Sequence, residues 1–253
     1  MDNQPERIML LNVPLDIVDP ENLPLAIDKA LKQPENKRNM VLLSLWDLLR
    51  ARRNPEYHDY VLNAALVIPI SHSLISGARF LTGKKPVRYM PFNFIISLLS
   101  ILEKKEGTLF LLGSGVSVLR KTEKNLRTTF PGLNVVGRCD GKSCKKDDAP
   151  VKEAIRKTSS TLLLAGKGIR GGELWIARNS DNLNSGIRLW CSDLFDILAE
   201  KRKRPSDKAF ELGIEGLGFC LKNPLRLFRI FAYIYYKLLL LFYRLFKNPK
   251  KIT

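Results

Sequence analysis

Short runs of aliphatic and β-branched residues recur along the chain at Ile8 to Val13, Met40 to Leu45, Ala65 to Ile68, Thr108 to Leu112, Leu133 to Val136, Thr161 to Ala165 and Ile187 to Cys191. Longer stretches with helical spacing of apolar positions separate them. Runs this short and this uniformly apolar predict strands covered on both faces rather than strands with one wet face. Their alternation with helices predicts an α/β fold built on a mostly parallel sheet with helices on both sides. Punctuation places the helices. Asp19-Pro20 opens one that ends near Lys32, Asn93 is positioned to cap a run to Lys105, and Ser114 or Ser117 to cap one to Thr128.

One stretch carries more than fold information. From Thr108 to Gly137 an apolar strand ends in Gly113-Ser114-Gly115, continues into a basic amphipathic helix and returns through Phe130-Pro131-Gly132-Leu133 to Val136-Gly137. That order predicts one βαβ unit. Glycines at such a turn let the backbone bend sharply and leave helix N-terminal N–H groups free for a phosphate or sugar oxygen, which makes this a candidate nucleotide site. The same spacing also suits an ordinary strand-to-helix turn.

The basic run Lys201-Arg202-Lys203-Arg204-Pro205 interrupts the α/β rhythm and divides a body, 1–205, from a C-terminal appendage, 206–253. If Leu225 to Lys247 is helical, Arg226, Arg229, Lys237, Arg244 and Lys247 fall within an arc of roughly 80° at about 100° per residue. The remaining surface is nearly all Leu, Phe, Ile and Tyr. A helix of that kind is suited to lie in a bilayer interface, burying the apolar side while Lys and Arg reach lipid phosphates. Two other placements fit the pattern, a helix packed on the protein core and a single membrane span. The uncharged runs Ile230 to Tyr236 and Leu238 to Tyr243 fall well short of the roughly 20 residues a span requires.

Composition narrows the partners. The chain has 253 residues, 45% of them hydrophobic, enough for one sizeable core. Its net charge of +17 favours an anionic partner: phospholipid, a diphosphate or nucleic acid. Nucleic acid is the weakest of these, because the charge gathers beside apolar C-terminal residues and no base-reading module accompanies it. Cys139, Cys144, Cys191 and Cys220 lack paired spacing, so neither a metal site nor a disulfide framework is expected, and no cofactor is implied. The N-terminus does not read as a signal peptide, which sets the expectation of a reduced, cytoplasmic protein.

Five short motifs in order set a more specific expectation. They are Leu111-Leu112-Gly113, Pro131-Gly132-Leu133 to Val136-Gly137, Gly166-Lys167-Gly168 followed by Glu173-Leu174-Trp175-Ile176, Phe195-Asp196, and Pro224-Leu225-Arg226-Leu227-Phe228-Arg229. In these the chain resembles the WecG/TagA/CpsF glycosyltransferases (glycosyltransferase family 26) from about Arg7 to Ile230. The resemblance implies a Rossmann-like, peripheral membrane enzyme at the cytoplasmic face of the inner membrane. It would move N-acetylmannosamine or a hexose from a UDP-sugar to a polyprenyl-diphosphate-linked acceptor in cell-envelope polysaccharide synthesis, and it leaves self-association to a homo-oligomer open. By the same resemblance the nucleotide sugar would be held by Arg88, Asn93, Gly113, Ser114, Gly115, Gly166, Gly168, Glu173 and Asp196. Arg226 and Arg229 would meet the diphosphate, and together with Lys237, Arg244 and Lys247 the membrane.

The departures from the family pattern are equally informative. Where the resemblance implies a basic aspartate in a Pro-Asp-Gly turn, this chain reads Pro69-Ile70-Ser71, and where it implies Thr-x-Asn it reads Leu43-Ser44-Leu45. Isoleucine cannot take a proton. His72 is the neighbouring group that titrates near neutrality, with Asp193 and Asp196 as further candidates. Two readings follow: an active glycosyltransferase with a relocated base, and a catalytically inactive relative acting as a membrane-associated binding or regulatory subunit.

Overall fold

A computed structural model describes residues 5–204, 206, 207, 210 and 229–246. In chain order the strands are β1 (Glu6–Leu10), β2 (Val13–Ile17), β3 (Asn39–Leu43), β4 (Leu66–Pro69), β5 (Thr108–Leu112), β6 (Asn134–Cys139), β7 (Leu162–Gly166) and β8 (Ile187–Ser192). The helices are α1 (Leu23–Lys32), α2 (Leu45–Ala51), α3 (Pro55–Leu62), α4 (His72–Thr82), α5 (Pro91–Glu103), α6 (Val116–Thr129), α7 (Gly141–Lys146), α8 (Ala149–Thr158), α9 (Leu174–Asn179), α10 (Leu194–Leu198) and α11 (Arg229–Phe246).

Six strands form one parallel sheet in the order β4-β3-β8-β7-β5-β6, and β5-α6-β6 is the βαβ unit expected from the sequence. Side chains of successive strand residues enter opposite layers, as the two-residue period of a strand requires. Leu162 and Leu164 of β7 join the layer built from α1, α5, α6 and α10, whereas Leu163 and Ala165 face α8 and α9. At the other end of the sheet Met40 of β3 joins the first layer, and Val41 and Leu43 face α2, α3, α4, α11 and the hairpin β1-β2.

The first apolar run forms a strand but does not join the parallel sheet. It turns back at Leu11 and Asn12, whose φ of 52° and 68° make a two-residue left-handed turn, and pairs antiparallel with the residues that follow. Asp16 anchors this hairpin. Its carboxylate, 2% exposed, takes Arg7 Nε and Nη2 at 2.7 and 2.8 Å and the Val67 N–H of β4 at 2.6 Å. Helix boundaries also differ from expectation. Pro91 occupies the first turn of α5, placing Asn93 inside the helix, and Gly115, not a serine, is the N-cap of α6.

Arg188 of β8 is fully buried, a position no periodicity argument would assign to arginine. Its guanidinium donates to Asn39 Oδ1 at 2.8 Å, to the Ser180 carbonyl at 3.3 Å and to the Glu35 carbonyl, while burial pushes its pKa down to about 10. The charge is tolerated because those oxygens satisfy it.

The C-terminal helix divides its surface. Tyr236, Leu240 and Tyr243 are buried against the body, whereas Phe231, Leu238, Phe242, Leu245 and Phe246 are each at least half exposed. The core-packed and interface-lying placements are therefore not exclusive: one face docks and the opposite one stays apolar. Lys237 is exposed and Arg244 lies over the Phe80 ring at 4.4 Å. Arg226, Lys247 and the side chain of Arg229 lie outside the described residues. No helix among the described residues is long and apolar enough to cross a membrane.

Candidate active site

The chain leaves β3 for β4 on one side of the sheet and then returns across it to build β5 on the other, so the direction of winding reverses around β3 and β8. Loops after neighbouring strands then diverge and leave a crevice at the carboxyl ends, the usual ligand position in an open α/β sheet. A cleft of ≈ 500 Å³ lies there. Ser44 and Asp47 line it from the end of β3, Ile70 from the end of β4, and Trp190 and Asp193 from the end of β8; Arg50, Phe92, Glu173 and Arg202 are also among its lining residues.

Helix α2 starts at this cleft with a reciprocal cap. Ser44 donates from its N–H and Oγ to Asp47 Oδ2 at 2.9 and 2.5 Å, and Ser44 Oγ accepts from the Asp47 N–H at 3.4 Å. Asp47 is thereby pinned over the end of β3, and Arg50, three residues on, lies on the same helical face. On the opposite wall Gly171 and Gly172 have φ of 83° and 62°, a left-handed path that favours glycine and swings Glu173 into the cleft at the start of α9.

Glu173 is 8% exposed, and its nearest cation is Arg50 Nη1 at 3.7 Å. Burial, reinforced by the neighbouring Asp47 charge, pushes its carboxyl up to about 8. Burial also raises Asp47, against hydrogen bonds from Ser44 and the charge of Arg50 that hold it down. At neutral pH the cleft thus holds one neutral carboxyl, Glu173, beside Asp47, where the Ser44 hydrogen bonds and the Arg50 charge oppose the effect of burial.

The residues singled out by sequence divide between two places. Ile70 is in the cleft; its N–H donates to the Leu43 carbonyl at 2.9 Å and its carbonyl accepts from Arg88 Nε at 3.1 Å. Arg88 also donates to the Phe210 carbonyl at 2.5 Å and stacks on the Phe210 ring, so it fastens the loop after β4 to the segment leaving the body. His72 is exposed at the first turn of α4 and Asn93 is exposed on α5, and neither belongs to the cleft wall.

Gly113, Ser114, Gly166 and Gly168 meet farther along the same sheet edge. Backbone bonds lace the loops there: Gly113 N–H to Cys139 O at 2.9 Å, Ser114 N–H to Lys167 O at 2.5 Å and Lys167 N–H to Ser192 O at 2.9 Å. A Cβ on Gly113, where φ is 103°, would stand 2.6 Å from the Gly166 carbonyl oxygen, so that glycine is required by the fold itself. Gly115 differs, since no atom lies within 4 Å of where its Cβ would be. It opens onto a hollow whose charged lining is Arg120, Lys121, Lys124 and Lys142 with Asp140, basic on balance. Asp196 is 8% exposed and pairs with Lys167 beneath this edge.

Asp47 and Arg50 are the cleft residues that sequence reasoning passed over. The signal was legible, since Ser44-x-x-Asp47 ahead of an apolar run is a capping-box pattern. Its location opposite Glu173 was not.

The Glycosyl transferase WecG/TagA/CpsF family model matches residues 8–252. Two relatives carry the name N-acetylglucosaminyldiphosphoundecaprenol N-acetyl-beta-D-mannosaminyltransferase. The protein from Bacillus spizizenii strain W23 is 21% identical over 176 residues, 70% of this chain and 68% of that protein. The one from Bacillus subtilis strain 168 is 19% identical over 191 residues, 76% of this chain and 74% of that protein.

Proposed function

Because the chain belongs to the Glycosyl transferase WecG/TagA/CpsF family, we propose that it transfers a sugar of N-acetylmannosamine or hexose type from a UDP-sugar to a polyprenyl-diphosphate-linked acceptor. The observation that carries this reading is the cleft at the carboxyl ends of β3, β4 and β8. It combines the requirements of sugar transfer in one crevice: carboxyls at Asp47 and Glu173 for proton movement, the cations Arg50 and Arg202 for a departing diphosphate, and the aromatic walls Phe92 and Trp190 for a sugar ring. Gly115, with open space over it and four basic side chains and Asp140 around it, is the place along the edge where the nucleoside end of the donor has room. Gly113, Ser114, Gly166 and Gly168 then act as the frame of that edge.

The apolar outer face of α11 suits a protein whose acceptor is anchored in a bilayer, with Lys237 and Arg244 beside it. On this reading the protein works as a peripheral protein at the cytoplasmic membrane face, in cell-envelope polysaccharide synthesis. Ile70 favours a second reading, that of an inactive relative that binds nucleotide sugar without transferring it, because an aliphatic side chain occupies the cleft wall at the end of β4.

Calorimetric titration with UDP and UDP-N-acetylmannosamine, followed by a transfer assay to a short-chain polyprenyl-diphosphate N-acetylglucosamine, separates the two. Binding with transfer supports the enzyme. Binding without transfer supports the inactive relative, and absence of binding overturns both.

A further inference from the structure

We infer that Asp47 is the general base of this cleft, with Glu173 facing it as a hydrogen-bond donor to the substrate, an arrangement that rests on the transferase reading above. Three observations place it. Ile70 has no proton-accepting atom, and His72 lies outside the cleft wall, so the position after β4 supplies no base. Asp47 lies on that wall with its carboxylate held by Ser44 through Oδ2, while Oδ1 accepts no hydrogen bond among the described residues. Glu173 closes the opposite side, more than nine-tenths buried, with Arg50 at 3.7 Å.

The charged and titratable groups around Asp47 are Arg50 from its own helix, Tyr57 and Tyr60 from α3 and Glu173 from the start of α9, with Asp193 after β8, Arg202 after α10 and the Cys191 thiol of β8 on the same cleft wall. Burial holds both tyrosines protonated and keeps Glu173 neutral to about 8, Arg202 holds Asp193 in an ion pair, and the Ser44 hydrogen bonds and the Arg50 charge favour the ionised form of Asp47 against its burial, so Asp47 is the cleft carboxyl placed to accept a proton. In the reaction the acceptor hydroxyl passes its proton to Asp47 Oδ1 as its oxygen bonds to the anomeric carbon of the donor. The bond from that carbon to the diphosphate breaks, and its electron pair leaves on the diphosphate oxygen. Arg50, and Arg202 with its ion-pair partner Asp193, line the cleft around that developing charge, and Asp47 later returns its proton to water.

The experiment compares wild type, Asp47→Asn and Ser44→Ala in transfer from UDP-N-acetylmannosamine to the short-chain acceptor, with UDP affinity and melting temperature measured alongside. Asp47→Asn should lower kcat by about 10²- to 10⁴-fold at unchanged UDP affinity. Ser44→Ala removes the Oγ hydrogen bond that favours the carboxylate, so the acid limb of its kcat/KM profile should move to higher pH, which a purely structural serine would not cause. Wild-type turnover with Asp47→Asn within about threefold of it overturns this inference and leaves the transferase reading standing. UDP binding with no wild-type turnover overturns the transferase reading instead. If Asp47→Asn loses the fold, an acid limb unmoved in Ser44→Ala overturns the inference by itself.

Discussion

Tyr236 of α11 rests on Gly77 of α4. A Cβ at Gly77 would stand 2.9 Å from Tyr236 Cζ, and the Tyr236 hydroxyl donates to the Ser73 carbonyl at 2.9 Å. The ring is fully buried and the glycine makes room for it. Gly77→Ala should therefore overpack this junction and destabilise the fold by about 1–3 kcal/mol. Tyr236→Phe keeps the ring, loses one hydrogen bond and should cost about 0.5–1.5 kcal/mol. Urea denaturation gives both values, and a Gly77→Ala protein as stable as wild type would show that α11 does not dock here.

The opposite face of α11 is expected to bind membranes. Leu238 and Leu245 are 60% and 68% exposed and make few demands on the fold. Leu238→Asp with Leu245→Asp should lower partition into vesicles containing anionic lipid by more than tenfold, since burying each leucine is worth roughly 1.5–3 kcal/mol. The melting temperature should stay near wild type. Raising the salt concentration should weaken the wild-type interaction as well, through screening of residues such as Lys237. Co-sedimentation with liposomes measures both effects, and undiminished pelleting of the double variant would disprove the assignment.

Two glycines of one turn should behave differently. Gly113→Ala places a side chain against the Gly166 carbonyl at a left-handed φ and should destabilise the protein by several kcal/mol. Gly115→Val places its Cβ where no atom lies within 4 Å and should melt normally, yet lose affinity for UDP because its side chain enters the basic hollow. Thermal melts and UDP titration on both variants check this; normal UDP affinity in Gly115→Val moves the nucleotide elsewhere.

Glu173 predicts a pH dependence of stability. Its folded pKa of about 8 exceeds the ordinary value of 4.5, so between those values the folded protein holds a proton that the unfolded chain has released. The stability tied to this group is complete below pH 4.5 and is lost as pH rises through about 8. Glu173→Gln, which is neutral at every pH, should flatten that part of the stability profile, and chemical denaturation at pH 5, 7 and 9 would reveal the change.

Removing Arg7 tests the hairpin anchor. Asp16 would keep the Val67 N–H but lose two charge-assisted bonds at 2% exposure, so Arg7→Ala should cost about 1–3 kcal/mol by urea denaturation. Asp16→Asn together with Arg7→Ala should recover part of that cost, because no buried charge is then left unpaired.

Local pattern alone determined much of this protein. The apolar runs at Thr108 to Leu112, Thr161 to Ala165 and Ile187 to Cys191 specify doubly covered strands, and the turn at Gly113 specifies a βαβ unit, because strand burial and tight turns constrain residues close together in the chain. Motif order likewise indicated the glycosyltransferase family that spans residues 8–252. Other features depended on which segments meet. Leu11 and Asn12 fold the first apolar run into a hairpin because Asp16 and Arg7 tie it to β4. Gly77 receives Tyr236, so α11 buries one face and leaves the other apolar. The cleft, above all, is a tertiary product. Asp47 is a helix cap in its own segment and Glu173 a first-turn acid in its own, and only the sheet order that sets β3 and β7 on either side of β8 brings the two carboxyls together, where burial raises both and the Asp47 charge pushes Glu173 up further.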